Sequence, residues 1–138
     1  MESDLVRQRL REIPLFAELP DESLDLVAAT AAEVEAPAGH VLAEAGHEGA
    51  GMFVLEEGTV AVELPDGRIK QLAPGDFFGE LSLLGAGVRV ARVRATSAVR
   101  CLAIARGDFE KLLQAEPHIA RAMLPVVARR LAEVRADN

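Results

Sequence analysis

Ten of the eleven glycines lie between Gly39 and Gly87, and they cut the middle of the chain into runs too short for helices. What stands between them is rich in Val, Leu and Phe. His40-Val41-Leu42-Ala43, Met52-Phe53-Val54-Leu55 and Thr59-Val60-Ala61-Val62-Glu63-Leu64 read as strands, and Arg68 to Leu72, Arg92 to Ala95 and Val99 to Ile104 read as three more. Pro65-Asp66-Gly67-Arg68 is the sharpest turn signal. Asp-Gly between two strands suits a primed hairpin turn, whose central residues take positive φ. Many short strands at regular spacing, separated by Gly and Pro turns, predict a sandwich or a barrel.

Both flanks change period. Up to about Ala32, Leu5, Val6 and Leu10 form a short apolar face, and Leu24, Val27 and Ala28 form a second behind the expected caps Asp21 and Ser23. Pro14 and Pro20 punctuate the link between the two. After the strands, Gly107-Asp108 opens a short helix through Leu113, and Glu116-Pro117 opens a longer one towards Val134. Ile119, Met123, Val126, Val127, Arg130, Leu131 and Val134 share a face of that helix. Pro125 removes the hydrogen bond to Arg121 and is expected to bend it. The predicted fold is α+β: an antiparallel, jelly-roll-like β-roll over residues 33–105, with N-terminal helices over 1–32 and C-terminal helices over 107–138. The whole of 1–138 is expected to be one domain.

Composition narrows the function. At 138 residues the chain has the length of one domain. Its net charge of -7 is a poor match to a nucleic-acid backbone, where basic residues must displace counterions. A single cysteine, Cys101, excludes an internal disulfide and is expected to be a small core residue. No apolar run approaches the roughly 18 residues that span a bilayer, and the acidic start Met1-Glu2-Ser3-Asp4 resembles no leader. A cytoplasmic protein is expected. His40, His47 and His118 are scattered, against metal binding. Gly85-Ala86-Gly87 lacks the third glycine of a dinucleotide fingerprint. No nucleophile–base pair or coupled carboxylates can be located, so the expectation is no enzyme and no cofactor.

The densest information lies between Phe77 and Ala95. From Leu81 to Gly107 no acidic residue occurs, yet Arg89, Arg92, Arg94, Arg100 and Arg106 do. In an acidic protein that clustering points to a local anion site. For Arg92, Arg94 and Arg100 the competing reading is a solvated strand face. Gly79 lets backbone approach a ligand, and a helical turn over Glu80 to Leu84 offers free N–H groups to an anion. Arg89 adds a two-pronged donor suited to phosphate. Glu80 repels phosphate and asks instead for a hydroxyl. Together the segment suits a small phosphorylated sugar, Glu80 on a hydroxyl and Arg89 on the phosphate. The alternative for Glu80 is a carboxylate that merely favours a helix start.

Phe78-Gly79-Glu80-Leu81-Ser82-Leu83, followed by Arg89-Val90-Ala91, resembles the phosphate-binding cassette of the cyclic nucleotide-binding domain family, which includes the catabolite activator protein and the regulatory subunits of protein kinase A. Pro14-Leu15-Phe16 through Leu24 resembles the family's N-terminal helical bundle. Gly39, Gly46, Phe53 to Leu55, Gly58 and Val60 sit where its roll has recurring glycines and strand residues. Pro74-Gly75-Asp76-Phe77-Phe78-Gly79 resembles its run into the cassette.

The resemblance implies a non-catalytic sensor whose ligand is cAMP or, second, cGMP. Glu80 would hold the ribose 2′-hydroxyl and Arg89 the cyclic phosphate. Backbone N–H groups near Leu81, Ser82, Val90 and Ala91 would complete the cage, with Ala91 kept small. Val88 departs from a common Pro, and Val90 stands where Thr or Ser often occurs. Val90 offers no hydroxyl to guanine, which favours cAMP. Arg92 also replaces a frequent Thr or Ser, without an account. The last helix would be a lid, with Arg129 or Arg130 either on the purine face or projecting into water. The effector is expected on a partner protein or elsewhere in a larger chain. The rival reading is a ligand-free protein-interaction module that kept the roll.

Overall fold

A computed structural model describes residues 2–43, 51–79 and 91–135. Two helices come first, α1 (Glu2–Arg11) and α2 (Asp21–Thr30). Eight strands follow: β1 (Ala32–Ala36), β2 (Val41–Ala43), β3 (Gly51–Glu57), β4 (Val60–Glu63), β5 (Ile69–Leu72), β6 (Phe77–Phe78), β7 (Arg92–Ala95) and β8 (Val99–Ala105). α3 (Arg106–Ala115) and α4 (Pro117–Arg135) close the described chain. The strands form two antiparallel sheets, ordered β1-β8-β3-β6 and β2-β7-β4-β5. This is the predicted β-roll with helices at both ends.

The first sheet is apolar on both faces because it separates two cores. Met52, Val54, Phe77, Leu102 and Ile104 point to the helices, joining Leu10, Ile13, Phe16, Leu24, Val27, Phe109, Leu112, Ile119 and Met123. Leu55, Phe78, Val99 and Cys101 point into the roll, where they meet Val60, Val93 and Ala95 from the second sheet. Period-two alternation along β3 and β8 therefore serves both cores at once.

Several local expectations change. β1 and the two-residue β6 are strands beyond the six read from the sequence. Helix α2 begins behind Pro20, whose carbonyl accepts the N–H groups of Ser23 and Leu24 at 3.0 and 3.1 Å. Asp21 and Ser23 thus lie inside the helix, and neither caps it. The buried Ser23 hydroxyl instead bonds Glu116, at the junction of α3 and α4. The Pro65–Gly67 connection is not a primed turn. Gly67 N–H donates to Leu64 O at 3.0 Å, so Pro65 and Asp66 are the central residues. No non-glycine residue among those described has positive φ, and Gly67 takes the left-handed position at φ +90°. That is a type I turn followed by a glycine bulge, which Pro65 dictates by fixing its own φ. Helix α3 starts at Arg106 and reaches Ala115, and α4 continues as one helix through Pro125. Leu5, Ala28 and Leu131, placed on apolar faces, are exposed.

Candidate functional site

The site predicted from sequence is entered from β6 and left through β7. β6 hydrogen-bonds to β3, pairing Phe78 with Phe53 and Phe77 with Val54. Phe78 is buried in the roll and stacks on Phe53, ring centroids 5.0 Å apart. Its neighbour Phe77 faces the helices. Gly79 follows with φ +89°, a left-handed conformation that glycine adopts without a Cβ penalty. At the other end Ala91 is buried, and β7 then pairs with β2 and β4 of the second sheet. The described strands on either side of residues 80–90 thus belong to opposite sheets. Glu80, Leu81, Ser82, Arg89 and Val90 lie between them in sequence and fall outside the described residues.

The approach to Gly79 is braced by backbone. Leu55 N–H donates to Asp76 O, and Gly75 N–H donates to Leu55 O, each at 2.8 Å. The Asp76 carboxylate accepts the N–H of Ala73 at 2.9 Å. Gly75, at φ +98°, is tightly flanked on one side: a Cβ there would stand 3.0 Å from Pro14 Cδ. The proline turn between α1 and α2 therefore abuts the turn that delivers Phe77, Phe78 and Gly79.

The acid-free stretch of sequence is not acid-free in space. Arg92 and Arg94 lie 3.8 and 3.9 Å from the carboxylate of Glu63 on β4, and Arg94 also donates to Gly39 O at 3.1 Å. Arg100 pairs with Glu57 at 2.9 Å and lies 3.5 Å from Glu33. These three arginines are spent on carboxylates from adjoining strands. Arg106 opens α3, and Arg89 lies outside the described residues. Of the two lid candidates, Arg129 is exposed, whereas Arg130 is half-buried with its guanidinium carbon 4.8 Å from the Phe77 ring centroid. That contact is on the helix-facing side of β6.

Cys101 is buried in the roll, and burial, followed by the charge of Glu56, pushes its thiol up to about 11. His40 and His118 are exposed, His47 lies outside the described residues, and among those described no group of His, Cys, Asp and Glu could hold a metal ion. No helix among them is long and apolar enough to cross a membrane.

Sequence reasoning missed Glu56. Its side chain is only 6% exposed, and Arg9 of α1 holds it with Nη2 at 2.9 Å from Oε1. That bond keeps the Arg9 guanidinium protonated above its ordinary value. The signal was available: Glu56-Glu57 interrupts the alternation of β3, as a bulge does.

A family model described as "Cyclic nucleotide-binding domain" matches residues 33–116. The chain is 32% identical over 130 residues to an NTE family protein of Mycobacterium tuberculosis, aligning 94% of this chain with 22% of that protein. It is 38% identical over 120 residues to a cyclic nucleotide-gated potassium channel of Mesorhizobium japonicum, aligning 85% of this chain with 33% of the channel. The crystal structure of the Thermus thermophilus catabolite activator protein superposes with a TM-score of 0.75 at 30% identity, covering 90% of this chain and 61% of the other. The chain thus spans about a fifth to a third of the length of these curated relatives.

Proposed function

This chain belongs to the cyclic nucleotide-binding domain family, and from that premise we propose that it is a cyclic nucleotide sensor, with cAMP as its preferred ligand. The observation that supports the reading is the framing of residues 80–90. The described residues that flank them belong to opposite sheets: Phe78 of β6, followed by Gly79, on one side, and the buried Ala91, followed by Arg92 of β7, on the other. In sequence, Glu80 directly follows Gly79 and Arg89 comes two residues before Ala91. In this reading Arg89 takes the cyclic phosphate and Glu80 a ribose hydroxyl. N–H groups at Leu81, Ser82, Val90 and Ala91 complete the phosphate contacts. Val90 brings no hydroxyl to a guanine edge, which supports cAMP over cGMP. Arg129 or Arg130 meets the base as α4 closes. The role is binding, not catalysis, in the cytoplasm, and the signal passes to a partner protein or to another part of a longer chain.

A ligand that binds only the native state stabilises it: at 100 times its Kd the gain is about 2.7 kcal/mol. Unfolding entropy near 290 cal/mol/K for a domain of this length converts that to a rise of about 9 °C in melting temperature. We expect that rise with cAMP, a smaller one with equal cGMP, and none for Arg89→Ala, whose unliganded melt stays that of the parent. Equal melts with and without millimolar cAMP or cGMP would overturn the reading in favour of the ligand-free interaction module.

A further inference from the structure

Glu56 is an expensive residue to bury, so its surroundings matter. Strand alternation sends Met52 and Val54 towards the helices. Between Leu55, paired with Cys101, and Glu57, paired with Arg100, the register slips by one residue. Glu56 is the extra residue of that bulge, and it points to α1. Arg9 grips both carboxylate oxygens, from Nη2 at 2.9 and 3.1 Å and from Nε at 3.3 Å. Arg100 Nε, buried and without a hydrogen bond, lies 3.6 Å from Oε1. Glu33 sits 3.6 Å from Arg9, completing a cluster that joins α1, β1, β3 and β8.

We infer that Glu56 is a positioning residue for the ligand site, acting through the bulge on the turn that launches residues 80–90; this rests on the cyclic nucleotide reading above. The route is short. Glu56 bolts the bulge to α1. The preceding residue, Leu55, makes both backbone hydrogen bonds that hold Gly75 and Asp76. Directly after Asp76, β6 runs Phe77-Phe78 into Gly79. An unbolted bulge frees the Leu55 peptide groups to tilt, and the turn tilts with them. Pro14, in the connection that follows α1, lies beside Gly75 where a side chain would meet it, so α1 and its connection come up to this turn at two points.

The test uses the full chain and its Glu56→Gln and Arg9→Ala variants. The amide resonances of Gly75 and Gly79, recorded without ligand, are expected to move in both variants. Affinity for cAMP, measured well below the melting temperature, is expected to fall about fivefold in each, as for coupling through a contact network. The double variant is expected to lose little more than either single, because the pair acts as one unit. A lowered melt with glycine resonances and affinity unchanged would make Glu56 a structural bolt only and overturn the inference. If the parent binds no cyclic nucleotide, the functional reading fails, while the glycine resonances still decide whether Glu56 sets the turn. Should Glu56→Gln fail to fold, Arg9→Ala carries the test, since Arg9 is 39% exposed and its loss leaves Glu56 beside Arg100.

Discussion

The two faces of the first sheet look onto interiors of different kinds. On the helix side, large side chains from all four helices close over Met52, Val54 and Ile104, and Phe16, Leu24, Leu112 and Ile119 are almost completely buried. On the roll side the packing is thinner: Ala36, Ala43, Ala95, Val60, Val93, Val99 and Cys101 make up most of it, with Leu55 and Phe78 the largest buried members. Burial free energy scales with apolar area removed from water, so the helix side carries the larger share of stability. The roll core is built mostly of small side chains, and the described residues on either side of 80–90 belong to its two different sheets. The helices hold the molecule together, and the roll is where a ligand is proposed to sit.

A deletion on the helix side tests that division most severely. Leu24→Ala removes a side chain with no exposed surface and is expected to cost about 3–4 kcal/mol, read from a urea midpoint at unchanged slope. Leu24 belongs to α2 and not to the Arg9–Glu56 route, so cAMP affinity of the folded fraction is expected to stay within twofold of the parent. A collapse of affinity would show that stability and binding are not divided between the two faces.

The roll side gives a smaller effect. Cys101→Ser keeps the size and buries a hydroxyl where a thiol sat among Leu55, Phe78 and Val99, at about 1–3 kcal/mol. The parent thiol supplies a second measurement. With its pKa pushed up to about 11 by burial, about one thiol in a thousand is ionised at pH 8. Labelling by a thiol reagent at that pH is expected to track unfolding, with rates rising across the urea transition. Rapid labelling of the native protein would mean that the roll opens far below the global transition, contrary to a sheet packed between two cores.

The division into faces was half legible in the sequence. Strand runs of Val, Leu and Phe between glycines located β2 to β5, β7 and β8, because alternation and turn residues are local signals. β1 was hidden: Ala-Glu-Val-Glu-Ala exposes its glutamates at a sheet edge and reads as easily as the tail of α2. β6 is two residues long, below any periodic signal. The ion pairs of the arginine cluster were not legible because charge along the chain says nothing of what adjoining strands bring; Glu63 and Glu33 come from 29 and 67 positions before Arg92 and Arg100. Glu56 failed for the same reason, since its partner Arg9 is 47 residues away. Gly79, read from the sequence as a place where backbone can approach a ligand, takes a positive φ that the sequence reading had not specified.

The surface of the helix side offers the smallest test. Arg7 on α1 grips Asp25 on α2 in a fork, Nε to Oδ1 at 2.8 Å and Nη2 to Oδ2 at 2.7 Å, with Asp4 and Asp21 at 3.6 and 3.5 Å. The Arg7 hydrogen bonds hold the Asp25 carboxyl below the usual carboxylate range. A carboxylate with a lowered folded pKa stabilises above its unfolded pKa, and that contribution fades as pH falls through the folded value. Asp25→Asn is therefore expected to melt slightly below the parent at neutral pH; the gap is expected to start closing as pH falls through the ordinary carboxylate range, and to vanish only below the lowered folded value, where the parent's carboxyl is neutral too. Both side chains stay wet, so added salt is expected to narrow the neutral-pH gap. A gap of the same width at pH 2 and at pH 7 would assign it to altered helix packing instead of charge, and the tie between α1 and α2 would then belong with Leu24 in the buried core.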